Sequence, residues 1–291
     1  MKIFMADETT AKIQGVTNFD LTHTFMCGQC FRWYEAEDKS YIGVAYGKAV
    51  KMNFNESELT IYNTNLEDVN NIWVKYLDLE RDYDIIKQKY SSDNYVSKAM
   101  EFGYGIHILN QDIFECLISF IISTQNQIPR IKKIVSELSR LYGTELKLNG
   151  ETYYAFPTAK QLEKVTADEL APLKAGYRAD YIIDAVSKVI SGEINLEDVK
   201  KMSYSDAKKE LMKIKGVGPK VADCILLFSC EKAEAFPVDV WVQRTMRTLY
   251  MDETATNRQI EQKATELFGE YAGFAQQYLF YYARENGGIE K

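Results

Sequence analysis

The sequence predicts an α+β fold: an N-terminal antiparallel β-sheet domain over residues 1–82, then two helical lobes over residues 83–291. Three observations carry this. Between Tyr41 and Tyr62 the chain reads as short β-branched and aromatic runs separated by turn residues. From about Asp82 the apolar residues recur at helical spacing. Between Leu211 and Val221 two apolar-flanked segments meet at Gly216-Val217-Gly218, which predicts an αα-hairpin at about 205–230.

In chain order, Tyr41–Tyr46 and Ala49–Phe54 suit strands joined at Gly47, and Glu58–Tyr62 follows a short polar turn, giving an antiparallel meander. Ile113, Cys116, Leu117, Phe120 and Ile121 repeat at three and four residues, as a buried helix does. Further helices are predicted near 130–142, 159–165, 178–191, 205–213, 220–230, 239–250, 257–268 and 272–284. Asp239 follows Pro237 and precedes a helical run, the position and residue type of an N-cap.

Composition excludes several classes. The longest apolar stretches, around Cys116–Ile122 and Cys224–Phe228, are far short of a membrane span, and no signal peptide is evident. Five cysteines form no disulfide framework in a chain of 291 residues. Cys27-Gly28-Gln29-Cys30 has CxxC spacing, yet only His23 and His107 could complement it and no second CxxC exists. It reads as two reduced thiols beside a glycine turn. The net charge of −7 argues against a wholly DNA-coating surface, but residues 208–220 hold five lysines and one glutamate. Arg130, Lys132, Lys133, Lys174 and Arg178 add further basic points.

A helix that follows a glycine turn offers free backbone N–H groups and a positive dipole end, a seat for phosphate. Lys220 falls in the first turn of such a helix. The hairpin with Gly216 and Gly218, Lys220 two residues later, and Asp239 after a Val/Pro bend together resemble the helix-hairpin-helix-GPD signature of base-excision DNA glycosylases. Within that superfamily the chain resembles the 8-oxoguanine DNA glycosylase/AP lyases from about Phe25 to Glu285.

The resemblance implies roles residue by residue. Lys220 is the amine nucleophile that attacks C1′ and forms a Schiff base. Burial and a helix N-terminus both favour the neutral amine this chemistry needs. Asp239 stabilises the developing charge on the sugar. Cys27–Trp33 resembles a Gly-Gln-x-Phe-Arg-Trp motif in which the Gly28 carbonyl reads N7–H of 8-oxoguanine, a donor that guanine lacks. Gln276 and Phe280, four apart on one helix face, pair with and stack on the flipped base, with Cys224 on its opposite face.

Gly176-Tyr177-Arg178-Ala179 matches a GYRA loop, whose tyrosine wedges at the partner base and whose arginine touches it. Ser123–Arg130 resembles the segment that fills the vacated space and reads the partner cytosine. There Arg130 aligns with the second cytosine-reading arginine, while Gln125 stands where the family has asparagine. Trp241 stands where mammalian members have a phosphate-holding histidine. Hairpin carbonyls of Met212, Ile214 and Val217 suit a monovalent cation.

No cysteine follows Cys230, so the four-cysteine iron–sulfur loop of some relatives is not expected, and no cofactor is required. The expected partner is double-stranded DNA containing 8-oxoguanine, met by a monomeric enzyme in a prokaryotic cytoplasm. Two alternatives stand beside this: a monofunctional alkylpurine glycosylase, and a non-catalytic hairpin module that grips DNA. Lys220 argues against the first; the co-occurrence of Lys220, Asp239, Gln276 and Phe280 argues against the second.

Overall fold

Six antiparallel strands form the N-terminal sheet: β1 Lys2–Met5, β2 Thr10–Gln14, β3 Trp33–Glu35, β4 Tyr41–Ala45, β5 Lys48–Asn55 and β6 Glu58–Tyr62, in spatial order β1-β2-β6-β5-β4-β3. The computed structural model describes residues 1–289, so positions 290 and 291 of the predicted helical region lie outside the described residues. The central three strands follow the sequence pattern closely. Tyr46-Gly47 joins β4 to β5 with both residues at positive φ, and Glu56-Ser57 joins β5 to β6 in the same way. These are the mirror-image turns whose twist matches a hairpin.

Within the predicted β domain over residues 1–82, two segments for which the sequence predicts no helix are helical. Leu21–Met26 is a helix capped by Asp20, and a helical run covers Leu66–Tyr76, with a π-turn at Val69–Trp73. Val69, Trp73, Val74 and Leu77 lie at helical spacing and are buried against the sheet with Trp33, Met52 and Ile61. Burying that face stabilises the run more than its β-branched residues disfavour it. A second hairpin, β7 Glu145–Leu148 and β8 Glu151–Tyr154, turns at Asn149-Gly150 and packs Leu148 against Val44 and Ala49 of the first sheet.

The helices from Tyr83 onward share one apolar core. At its centre the helix Ile113–Ser123 has nine of its eleven residues buried. The hairpin consists of helices Tyr204–Leu211 and Pro219–Ser229, and the second of these packs on Ile113–Ser123. The C-terminal helix Ala272–Glu285 packs between Asn94–Phe102 and Val240–Leu249. Cys27 and Phe31 belong to this helical core, whereas Cys30 belongs to the sheet core. The glycine turn between them is therefore pinned where the two cores meet.

Candidate active site

Gly216 and Gly218 do different jobs. Gly216 has φ +82°, and a Cβ there would lie 2.3 Å from Tyr181, so the bend demands glycine. Gly218 has φ −93° and open space where a Cβ would point, so the fold itself would accept a side chain. Gly218 is instead the N-cap of Pro219–Ser229, with Pro219 at the first helical position and Lys220 next. Its bare backbone suits close approach by another molecule.

Lys220 is half-buried, with Nζ 5.3 Å from the centroid of the Phe120 ring. One turn on, Cys224 is buried, and burial pushes its thiol up to about 11 against the opposing charge of Lys220. Asp239 caps Val240–Leu249 by accepting from the Val242 N–H at 2.8 Å. Its carboxyl is held above the usual range by burial; the Val242 N–H, then Lys220, oppose this, and Arg284 adds a weaker pull. Asp239 thus lies within electrostatic reach of both Lys220 and the C-terminal helix.

That helix clamps the glycine turn. The carbonyls of Met26 and Cys27 accept from Arg284 Nη2 at 2.5 Å and Gln277 Nε2 at 2.7 Å, and that of Gln29 accepts from Gln111 Nε2 at 2.7 Å. Among the described residues nothing donates to the carbonyl of Gly28 between them. Gly28 has φ +87°, and a Cβ on it would meet Phe280 at 3.1 Å. Gln276 is 4% exposed, and its Oε1 is buried without a hydrogen-bond partner. An unpaired buried acceptor costs about 1–3 kcal/mol, so it is the kind of group a ligand donor would satisfy. The Gly28 turn and the Phe280 ring lie side by side, and Gln276 precedes Phe280 by one turn on the same helix.

On the open side, Thr124, Gln125, Tyr177 and Tyr181 line a groove of about 670 Å³ with residues 212–218 of the hairpin. Tyr177 is exposed and its hydroxyl donates to Gln125 Oε1 at 3.3 Å. Gln125 is exposed and held at φ +48°, an uncommon conformation for a non-glycine residue. The cause is Arg178. Its guanidinium, 5% exposed, donates to the carbonyls of Thr124, Gln125 and Ala175. Arg178 therefore braces the Gln125 turn from beneath. Arg130 is exposed and donates to the Lys174 carbonyl at 2.9 Å.

Trp241 is half-buried with Arg244 near its ring, and Val240 beside it is exposed. In the hairpin, the Ile214 carbonyl accepts from Val217 N at 3.1 Å. Among the described residues no group of three His, Cys, Asp or Glu side chains is placed to hold a metal, and all five cysteines are free and buried. Among the described residues no helix is long and apolar enough to cross a membrane.

Sequence reasoning missed Arg284 and Gln277. Arg284 carried a readable signal, lying four residues beyond Phe280 and eight beyond Gln276.

The hairpin, the capping aspartate and the cleft beside them define a base-excision fold, and the chain belongs to the HhH-GPD superfamily of base excision DNA repair proteins, which matches residues 118–270. Residues 13–117 match the N-terminal domain of 8-oxoguanine DNA glycosylase. The 8-oxoguanine glycosylase/lyase of Clostridium acetobutylicum, solved with double-stranded DNA containing cytosine opposite 8-oxoG, is 45% identical with a TM-score of 0.96 over 99% of both chains. A probable N-glycosylase/DNA lyase of Methanothermobacter thermautotrophicus is 34% identical over 68% of this chain and 70% of its own length. The 3-methyladenine DNA glycosylase of Archaeoglobus fulgidus shares the fold at 20% identity, with a TM-score of 0.74 over 99% of this chain and all of its own.

Proposed function

We infer that this chain is a bifunctional 8-oxoguanine DNA glycosylase and AP lyase acting on duplex DNA. The observation that carries the reading is the placing of Lys220 at the start of the hairpin's second helix, in electrostatic reach of the half-buried Asp239. An alkylpurine glycosylase of the same fold uses the aspartate alone and has no need of that lysine.

The duplex lies along the groove between the hairpin and the Gln125 and Tyr177 loops, its phosphates on the N–H groups of Gly216 and Gly218 and near Trp241. Carbonyls of Met212, Ile214 and Val217 are neutral hard donors, the kind a monovalent cation takes; Ile214 keeps a lone pair after its bond to Val217 N. Such an ion would offset phosphate charge. No cofactor enters the chemistry. Tyr177 and Gln125 occupy the space the flipped base leaves, supported by Arg178, and Arg130 faces the partner base.

The flipped base stacks on Phe280 with Cys224 on its other face. Gln276 Oε1 accepts from its Watson–Crick edge, and the Gly28 carbonyl accepts from N7–H. Guanine has no hydrogen at N7, so it would leave that carbonyl facing a lone pair. A mismatched buried acceptor of this kind discriminates strongly. Lys220 Nζ then bonds C1′ as the C1′–N9 bond breaks, and Asp239 stabilises the positive charge on the sugar. The Schiff base that follows allows β-elimination and strand cleavage. The enzyme acts as a monomer, in a prokaryotic cytoplasm.

The test is base release from three duplexes: 8-oxoguanine opposite cytosine, guanine opposite cytosine, and an alkylated purine. The reading expects release from the first alone. Release of the alkylated base with 8-oxoguanine untouched would overturn it.

A further inference from the structure

One charged group beside the base pocket has no part in this scheme. Arg284 lies on the same face of the C-terminal helix as Gln276 and Phe280. Two of its guanidinium nitrogens are occupied: Nε and Nη2 approach Glu285 Oε1 at 2.8 and 2.7 Å, and Nη2 also donates to the Met26 carbonyl at 2.5 Å. Nη1 is buried and has no partner among the described residues. It lies 3.0 Å from where a Cβ on Gly28 would sit, the same point that Phe280 approaches at 3.1 Å. The guanidinium carbon is 5.4 Å from the Phe280 ring centroid. Its charge is felt at Cys27 on one side and at Asp239 on the other.

We propose that Arg284 is a base-contacting residue, whose Nη1 donates to a carbonyl oxygen flanking N7 of the flipped 8-oxoguanine and holds negative charge as that base leaves. The proposal rests on the glycosylase reading above. The chemistry of the lesion fits it: O6, N7–H and O8 form a row of acceptor, donor and acceptor. A free Gly28 carbonyl with an unpaired N–H beside it is the complement of two neighbouring members of that row. When C1′–N9 breaks, its electron pair leaves on the base and spreads from N9 onto the ring oxygens. Lys220 Nζ forms the new bond to C1′ and sheds a proton, which the base takes up. Until that proton arrives the base is an anion, and a buried donor already in place stabilises it without reorganisation. Glu285 balances the guanidinium from the solvent side, so the cation is tolerated beside Phe280.

Arg284→Met keeps the unbranched stem beside Phe280 and removes the donor. It is compared with wild type in single-turnover release of 8-oxoguanine opposite cytosine, in cleavage of a duplex carrying a preformed abasic site, and in thermal melting. Base release is expected to slow roughly 10- to 100-fold, the scale of losing one preorganised donor. Abasic-site cleavage, which has no base to hold, is expected to stay within about two-fold, with Arg284→Lys recovering part of the base release. Unchanged base release, or equal slowing of both reactions, overturns the proposal, because the second is what a displaced Gly28 turn would give. If the methionine variant melts early, Arg284→Gln carries the same comparison. Failure of wild type to release 8-oxoguanine at all would instead defeat the parent reading, a distinct result.

Discussion

Replacing Gln276 by leucine separates stability from function. The Gln276 side chain is 4% exposed and its Oε1 is buried with no partner among the described residues. Leucine has a similar volume and no polar atom, so the substitution removes an unsatisfied acceptor that costs about 1–3 kcal/mol. Some of that gain is lost to imperfect packing, leaving a stabilisation of about 1–2 kcal/mol. For a chain of this size each kcal/mol moves Tm by roughly 2 °C, so calorimetry should show a rise of about 2–4 °C. The same change deletes the hydrogen bond to the Watson–Crick edge of the flipped base. At about 1.5–3 kcal/mol, that loss slows single-turnover release of 8-oxoguanine by roughly 10- to 150-fold. Cleavage of a preformed abasic site should change little. A variant that melts lower than wild type and excises at the wild-type rate would refute the reasoning on both counts.

The two hairpin glycines predict opposite patterns. Gly216→Ala must adopt φ +82° and displace Tyr181, so it should lower Tm by several degrees. Gly218→Ala has room and an ordinary φ, so Tm should hold while duplex affinity, measured by fluorescence anisotropy, falls several-fold. A pH effect should come from Glu115, which burial pushes up to about 7 although Arg32 lies 3.6 Å away. This acid has a folded value above its unfolded one, so the folded state holds its proton longer and stability falls as pH rises between about 4.5 and 7. Glu115→Gln mimics the neutral form and should gain on wild type across that window, by an amount of order 3 kcal/mol or less, as read from melts at pH 5 and pH 8. Parallel melting curves across that range would contradict it.

The catalytic hairpin was legible in the sequence because its signals are local. Gly216, Gly218, Pro219 and Lys220 specify a turn and a helix start within five residues, and Asp239 caps the helix that begins beside it. The central strands were legible for the same reason, through alternation and turn residues. Asn149-Gly150 was an equally local hairpin signal and was overlooked between two stronger helical patterns. The helical run at Leu66–Tyr76 was harder, because its β-branched residues only become a helix face once the sheet covers them.

Long-range contacts were not legible. Nothing near Gly28 in the chain indicates that Gln277 and Arg284, some 250 residues away, hold the carbonyls on its N-terminal side. Arg178 shows the converse. Its motif implied contact with DNA, and only the structure shows that it also donates to three backbone carbonyls and so supports Gln125.

The central claim is that Lys220 does covalent chemistry on a damaged nucleotide. Borohydride trapping tests it most directly, with wild type and Lys220→Gln on a labelled duplex carrying one 8-oxoguanine opposite cytosine, and an undamaged duplex alongside. The account predicts a covalent protein–DNA adduct for wild type on the damaged duplex alone, and none for Lys220→Gln on either. An adduct that persists in Lys220→Gln, or base release by wild type with no adduct at all, would contradict it.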